Sequence, residues 1–273
     1  MRYVILVKAT KDFEAGIDLD EKTLSEMANY TEKLVQAGAL LGCERLQPSS
    51  TGTRVRCTNG KLSVIDGPFA ETKELVAGIC LIQANSKEEA IAWAKRIPLQ
   101  EGEVEVRPLF EKPCVPADSA EKVARPTRKP GTIRYMALAK ADRDTEAGVR
   151  PGEKVQAAIG AFMEEAIKAG VKISGDGLQA SSTGARVRFS GSERIMIDGP
   201  FAETKELVAG YAILQFCSKA EAIEWTKRFV QIDAPGRHGG EAECEIRPLF
   251  EFANLAPSQA VERFREMGVG KME

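Results

Sequence analysis

Thirteen residues, DGPFAETKELVAG from Asp66 to Gly78, return without a change from Asp198 to Gly210. No other feature constrains this chain of 273 residues as strongly. The offset of 132 positions holds from the start: Arg2-Tyr3 matches Arg134-Tyr135, Glu14-Ala15-Gly16 matches Glu146-Ala147-Gly148, and Trp93 matches Trp225. Near the end it grows to 140, because the second copy has eight extra residues around Ile232 to Gly240. Arg107-Pro108-Leu109-Phe110-Glu111 then matches Arg247-Pro248-Leu249-Phe250-Glu251. The chain is a tandem duplication, and each copy is long enough to bury its own core.

One copy can therefore be read and then doubled. Tyr3 to Val7 is an unbroken apolar run that predicts a strand. Asp18 to Ala37 predicts a helix, with Leu24, Met27, Tyr30 and Leu34 on one face and Gly38 as its stop. Thr53 to Cys57 alternates, placing Arg54 and Arg56 on one side and Val55 on the other. Asn59-Gly60 signals a hairpin into Leu62 to Ile65. Ile79 to Ile82 is a second continuous apolar strand, and Ser86 with Glu89 opens a second helix. Glu103 to Arg107 alternates again, Val104 and Val106 against three charged residues.

The order is β-α-β-β-α-β with a hairpin elaboration. Fully apolar strands are buried on both faces and belong in the middle of a sheet; alternating ones belong towards an edge. This places the Arg54 and Glu105 strands at the flanks, in the 4-1-3-2 order of a ferredoxin-like sheet with right-handed crossovers. Two helices cover one face only, so the other face needs an apolar partner. The second copy supplies it at high local concentration. The expectation is an α+β chain whose two ferredoxin-like repeats pack sheet to sheet about a pseudo-twofold axis. The repeats span 1–112 and 132–252, joined by a proline-rich linker at 113–131. The tail, 253–273, holds a short amphipathic helix capped by Ser258, packing on its own body or against another subunit.

Composition narrows the function classes. A net charge of −2 gives no bulk electrostatic case for nucleic acid. No apolar run of about 18 residues is present, so no membrane span is expected, and the first residues read as a strand rather than a secretion signal. The six cysteines do not recur between the copies and have no metal-ligand or redox spacing. They read as small buried hydrophobes of a cytoplasmic protein. No phosphate-cradling loop, metal cluster or nucleophile elbow is found, so neither cofactor nor metal is expected.

The DGPFAETKE stretch resembles the signature of the YCII-related family, in its DGPF branch. Val7 to Asp12, Leu46 to Ser50 and Glu105-Val106-Arg107 resemble that branch as well. The resemblance implies a dimeric α+β barrel, here with both halves in one chain, and a genomic association with extracytoplasmic-function sigma factors. It brings no established reaction. The wider family has been proposed to use a His–Asp pair, but this chain's only histidine is His238, in the insertion of the second copy. Chemistry shared by both halves cannot depend on histidine.

Asp66 and Asp198 are the candidate acid/base pair, each closing a strand where the signature begins. The alternative is a turn in which the carboxylate accepts from the backbone N–H of Phe69 or Ala70. Glu71 and Lys73, with Glu203 and Lys205, either line a ligand or form a solvated turn. Arg54 and Arg186 offer an anion site, or else mark a charged edge strand that deters pairing. Lys8, Asp12, Gln47 and Ser49 recur as Lys140, Asp144, Gln179 and Ser181, at a strand end and in loops where ligand-binding residues gather. Three readings follow: a small-ligand-binding or regulatory protein linked to sigma-factor signalling; a cofactor-independent enzyme using Asp66 and Asp198; or an interaction scaffold without a ligand. The expected partners are an unknown small molecule and a second copy of the chain.

Overall fold

The computed structural model describes residues 1–17, 19–69, 75–111, 128–201, 207–251 and 257–269. The first half runs β1 (Arg2–Lys8), α1 (Lys11–Glu14), α2 (Glu21–Gln36), β2 (Leu40–Arg45), β3 (Thr53–Thr58), β4 (Lys61–Asp66), β5 (Val76–Gln83), α3 (Lys87–Lys95) and β6 (Glu101–Pro108). The second repeats it as β7 (Ile133–Lys140), α4 (Arg143–Glu146), α5 (Glu153–Lys168), β8 (Lys172–Gly177), β9 (Ala185–Ser190), β10 (Glu193–Asp198), β11 (Val208–Phe216), α6 (Lys219–Asp233) and β12 (Glu241–Pro248). A tail helix, α7 (Gln259–Glu266), follows. Helix α2 starts at Glu21 rather than Asp18, because the carboxylate of Asp20 accepts from Thr23 N–H and caps it.

Two six-stranded sheets result, ordered β10-β9-β6-β1-β5-β2 and β4-β3-β12-β7-β11-β8. Within each, four strands follow the 4-1-3-2 order of a ferredoxin-like unit, and the two sheets make the expected α+β barrel. The second position is held by β2 and β8, however, not by the Arg54 strand or its counterpart. The β3–β4 hairpin crosses to the other half and pairs with β12; the β9–β10 hairpin crosses back and pairs with β6. The expected flanks are thus interior strands: β3 lies between β12 and β4, and β6 between β1 and β9. Alternation misled here because charged residues of β3 and β6 pair with the opposite half, Arg54 with Glu245 and Glu105 with Arg186. The turn Asn59-Gly60 takes positive φ at both residues, 50° and 77°, as a two-residue hairpin requires.

Between the sheets, Val4, Leu6 and Leu81 of the first half pack with Met136, Leu138 and Ile213 of the second. On the outside, α2 and α3 cover the first sheet, including Val187 and Phe189 borrowed from β9. Helix α6 covers Val55 and Cys57, borrowed from β3, with Val230 and Cys244. Each half thus completes the other's outer core as well as its inner one. Short bridges, Leu46 to Leu249 and Leu109 to Leu178, join the sheets at their ends. Helix α7 packs on its own body, with Phe264 and Val269 against Ala28, Leu24 and Leu40.

The cysteines differ from expectation. Cys43 and Cys80 face each other across β2 and β5, with Cα atoms 4.1 Å apart, and form a disulfide. Among the described residues Cys217 is an exposed thiol, whereas Cys57 and Cys244 are buried, as expected. Cysteines in different strands can meet only once register is set, which spacing along the chain does not reveal. No helix among the described residues is long and apolar enough to cross a membrane.

Candidate functional site

Strand register builds a polar layer inside the barrel. Val4 and Leu6 point between the sheets, and Lys8 continues their face of β1. Opposite them on β6 stand Arg107 (against Val4) and Glu105 (against Leu6). The borrowed strand β9 then places Arg186 against Glu105. The second half does the same: Arg247 against Met136, Glu245 against Leu138, Lys140 at the end of β7, and Arg54 of β3 against Glu245.

In each sheet a buried glutamate is the hub. Glu105 Oε2 receives Lys8 Nζ at 3.5 Å and Arg186 at 3.0 Å, while Oε1 accepts from Arg107 at 2.9 Å. Glu245 Oε2 receives Lys140 Nζ at 3.8 Å and Arg54 Nε at 2.9 Å, while Oε1 faces Arg247 Nε at 2.9 Å. Glu105, Arg107 and Arg247 are fully buried, and Glu245 is 1% exposed. Lys8 and Lys140 are 6% and 8% exposed. Among the described residues Lys8 Nζ has no hydrogen-bond acceptor, the Glu105 carboxylate oxygen at 3.5 Å lying beyond good bonding geometry. An ammonium so placed is costly unless something else accepts from it.

Loops at the strand ends brace this layer. Glu14 on α1 lies 3.7 Å from Arg247 and accepts from Ser49 through both N–H and Oγ–H. Ser49 Oγ accepts in turn from the N–H of Phe69, the first bulky residue of the signature, and Arg54 stacks over the Phe69 ring at 4.2 Å. The other half repeats the chain of contacts: Arg107 to Glu146, Ser181 N–H to Glu146, Phe201 N–H to Ser181, and Arg186 over Phe201 at 4.1 Å. Two glycines permit it. A Cβ on Gly67 would overlap the Ser49 carbonyl, and one on Gly52 would strike the buried side chain of Arg247. The recurring Ser-Ser-Thr-Gly, Asp-Gly-Pro-Phe and Glu-x-Arg-Pro segments form one packed unit.

The electrostatics follow from burial against neighbours. Burial pushes Glu105 up, but Lys8, Arg107 and Arg186 outweigh it and hold the carboxyl below its ordinary value. Burial likewise opposes Lys140, Arg247 and Arg54 at Glu245, which is also held low. At Lys140 burial wins: the ammonium is pushed below the usual lysine value despite Glu245, with Arg54 and Lys8 adding to the effect. Lys140 and Lys8 therefore feel each other across the sheet interface.

Of the candidate residues, Lys8, Arg54, Lys140 and Arg186 are brought together by this layer. Ser49 and Ser181 are buried loop clamps beneath it. Gln47 and Gln179 brace it through their backbone carbonyls, which accept from Arg247 and Arg107. Asp12 is exposed on α1, and Asp144 lies 3.5 Å from His238 Nδ1, outside the layer. Glu71, Lys73, Glu203 and Lys205 lie outside the described residues. Asp66 and Asp198 stand apart: their side chains are 67% and 64% exposed, paired with Lys219 at 2.8 Å and Lys87 at 3.0 Å. Lys219 and Thr53 hold the Asp66 carboxyl below its ordinary value, the opposite of a poised base. Nor does Asp66 hold Phe69 N–H, which bonds to Ser49.

Sequence reasoning missed Glu105, Arg107, Glu245 and Arg247 as site residues, along with Glu14 and Glu146. The signal was present: Glu-x-Arg-Pro-Leu-Phe-Glu recurs in both copies with its charges intact. Among the described residues, no group of three or more His, Cys, Asp or Glu could hold a metal ion.

Comparison with known proteins agrees with the duplication. An uncharacterised protein of Rhizobium meliloti (strain 1021) is 38% identical over 93 residues, covering 33% of this chain and 75% of that protein. Among solved structures, a mutant chlorite dismutase from Candidatus Nitrospira defluvii aligns over 97% of this chain and 94% of its own, at TM-score 0.43 and 8% identity. A second mutant of that enzyme, in complex with cyanide, aligns at TM-score 0.41 and 10% identity over the same shares. The model of the YCII-related domain matches residues 1–112 and again 133–249, so the chain belongs to the YCII-related family, with two copies of its domain in one polypeptide.

Proposed function

We propose that the protein binds a small anionic ligand in the barrel interior, at two pseudo-equivalent sites. One is built on Lys8 and Arg186, the other on Lys140 and Arg54. The observation that carries this reading is the buried ammonium of Lys8, which lacks a hydrogen-bond acceptor among the described residues because its hub glutamate is engaged by two arginines. An anionic oxygen is the partner that a spare ammonium donor beside an arginine accommodates. Arg54 and Arg186 are well placed to admit it, since their side chains are 19% and 17% exposed while the rest of the hub is sealed. The acid/base alternative is better supported at Lys140 and Glu245 than at the exposed Asp66 and Asp198. Ligand occupancy is the signal through which a regulatory role linked to sigma-factor signalling would act.

Thermal shift and titration calorimetry with oxalate and with inorganic phosphate test this. At ~100 times its dissociation constant a ligand adds roughly 2.7 kcal/mol per site. Arg54→Gln combined with Arg186→Gln should abolish the gain. A folded protein that neither anion stabilises would overturn the reading.

A further inference from the structure

The duplication leaves a groove open in the first half that the second half closes. Helix α3 ends at Lys95, and Pro98 follows too closely for the helix to continue. Its counterpart α6 runs on to Asp233, into the insertion. At the offset of 132 positions, Arg96 corresponds to Arg228, Tyr30 to Phe162 and Lys33 to Glu165. In the second half Phe162 packs against Trp225 and Phe229, at centroid distances of 5.6 and 6.1 Å. Arg228 lies over the Trp225 ring at 4.8 Å and still donates from Nη2 to Glu165 Oε2 at 2.6 Å. In the first half Arg96 lies over Trp93 in the same way, at 4.7 Å, but Lys33 stands where the glutamate would be. Neither Arg96 nor Lys33 is in an ion pair among the described residues. Between α2 and α3 lies an open cavity of about 420 Å³, lined by Glu26, Asn29, Tyr30, Lys33, Arg96 and Pro98. Tyr30 donates its hydroxyl to the Trp93 carbonyl at 3.2 Å, and Pro98 has no polar side-chain atom, so these two supply an apolar wall.

We propose that this groove binds a small aromatic monocarboxylate. The carboxylate takes the place that Glu165 holds in the second half, accepting from Arg96 with Lys33 beside it. The aromatic body lies on the wall made by Tyr30 and Pro98. Stacking on Trp93 fixes the guanidinium before the ligand arrives, so little side-chain freedom is lost on binding. Glu26 lies two helical turns before Lys33, about 10 Å along α2, and is also without an ion pair among the described residues. It disfavours a second negative charge at that end of the groove. The site lies outside the barrel and does not depend on the inner layer of Lys8 and Lys140.

The probe is benzoate, with benzyl alcohol as the uncharged control, titrated into the full-length protein by calorimetry. One benzoate should bind per chain, because Glu165 already fills the matching place in the second half. Benzyl alcohol should bind at least about tenfold more weakly. Lys33→Glu builds into the first half the ion pair that the second half already carries, so the variant should fold and should weaken benzoate about tenfold or more. Arg96→Gln should weaken it as well, and Lys95→Gln, on the neighbouring exposed lysine, should not. No binding of benzoate to the unmodified protein, equal binding of the alcohol, or an affinity unchanged in both Lys33→Glu and Arg96→Gln would overturn the proposal. Benzoate affinity that falls only in Arg54→Gln combined with Arg186→Gln would assign the anion to the barrel interior, and would overturn it too.

Discussion

Arg54 and Glu245 are 191 residues apart and come from opposite halves of the chain, yet Arg54 Nε donates to Glu245 Oε2 at 2.9 Å. Arg186 and Glu105 repeat the contact in the reverse direction. The halves therefore exchange hairpins, and each inner site needs a residue from the other half. Expressed alone, residues 1–112 should form a symmetric dimer in which Arg54 pairs with Glu105 of the second copy, since Glu105 is the counterpart of Glu245. Light scattering coupled to size exclusion checks this; a stable soluble monomer would contradict it.

The hub is costly to break from one side. Arg247 is fully buried and faces both Glu245 and Glu14. Arg247→Ala leaves those carboxylates short of a partner, so a loss of about 3–5 kcal/mol is expected in urea denaturation. Arg56→Ala, whose arginine is 52% exposed and pairs with Glu243, should cost no more than about 1 kcal/mol. Equal losses would show that the layer carries no special energetic weight.

Stability should depend on pH at both ends. Glu105 and Glu245 have depressed folded-state values. Their contribution is present above the unfolded glutamate value of about 4.3 and is lost as pH falls through the lower folded values. Glu105→Gln with Glu245→Gln should flatten the acid limb. Lys140 acts with the same sign at the alkaline end, because its folded value is depressed by burial. Between that value and about 10.4 the unfolded chain binds the extra proton, so stability rises with pH across this window. Lys140→Met should remove the rise, as measured by urea midpoints through the alkaline range.

The signature owes part of its identity between copies to packing. Gly67→Ala forces Cβ against the Ser49 carbonyl, and Gly199→Ala does the same at Ser181. Each should destabilise far more than Asp66→Asn, which removes an exposed ion pair worth at most about 1 kcal/mol. Ser49→Ala takes away the acceptor of Phe69 N–H and should cost roughly 1 kcal/mol. Thermal melts of the four single variants rank them; an Asp66→Asn protein as unstable as Gly67→Ala would restore the aspartate to a central role.

What the linear chain settled by itself was periodicity and repetition. The apolar runs at Tyr3 to Val7 and Ile79 to Ile82 are legible because a strand buried on both faces must be apolar on both. The need for a partner sheet is legible because two helices cannot cover two faces. The exact repeat marked Asp66 to Gly78 as important, and Lys8, Arg54, Lys140 and Arg186 were picked out by recurrence at a fixed offset. Alternation, however, reports that a strand has two unlike faces, not whether the polar one meets water. Glu105 and Arg107 look like an exposed edge in sequence but are buried, because β9 pairs beside Glu105 and because Gln179 and Glu146 of the other half hold Arg107. Cys43 meets Cys80, and Arg54 meets Glu245, for the same reason: strand register and hairpin exchange set those distances. They are decided by which apolar faces can be buried together, a property of the folded pair of sheets rather than of any segment read alone.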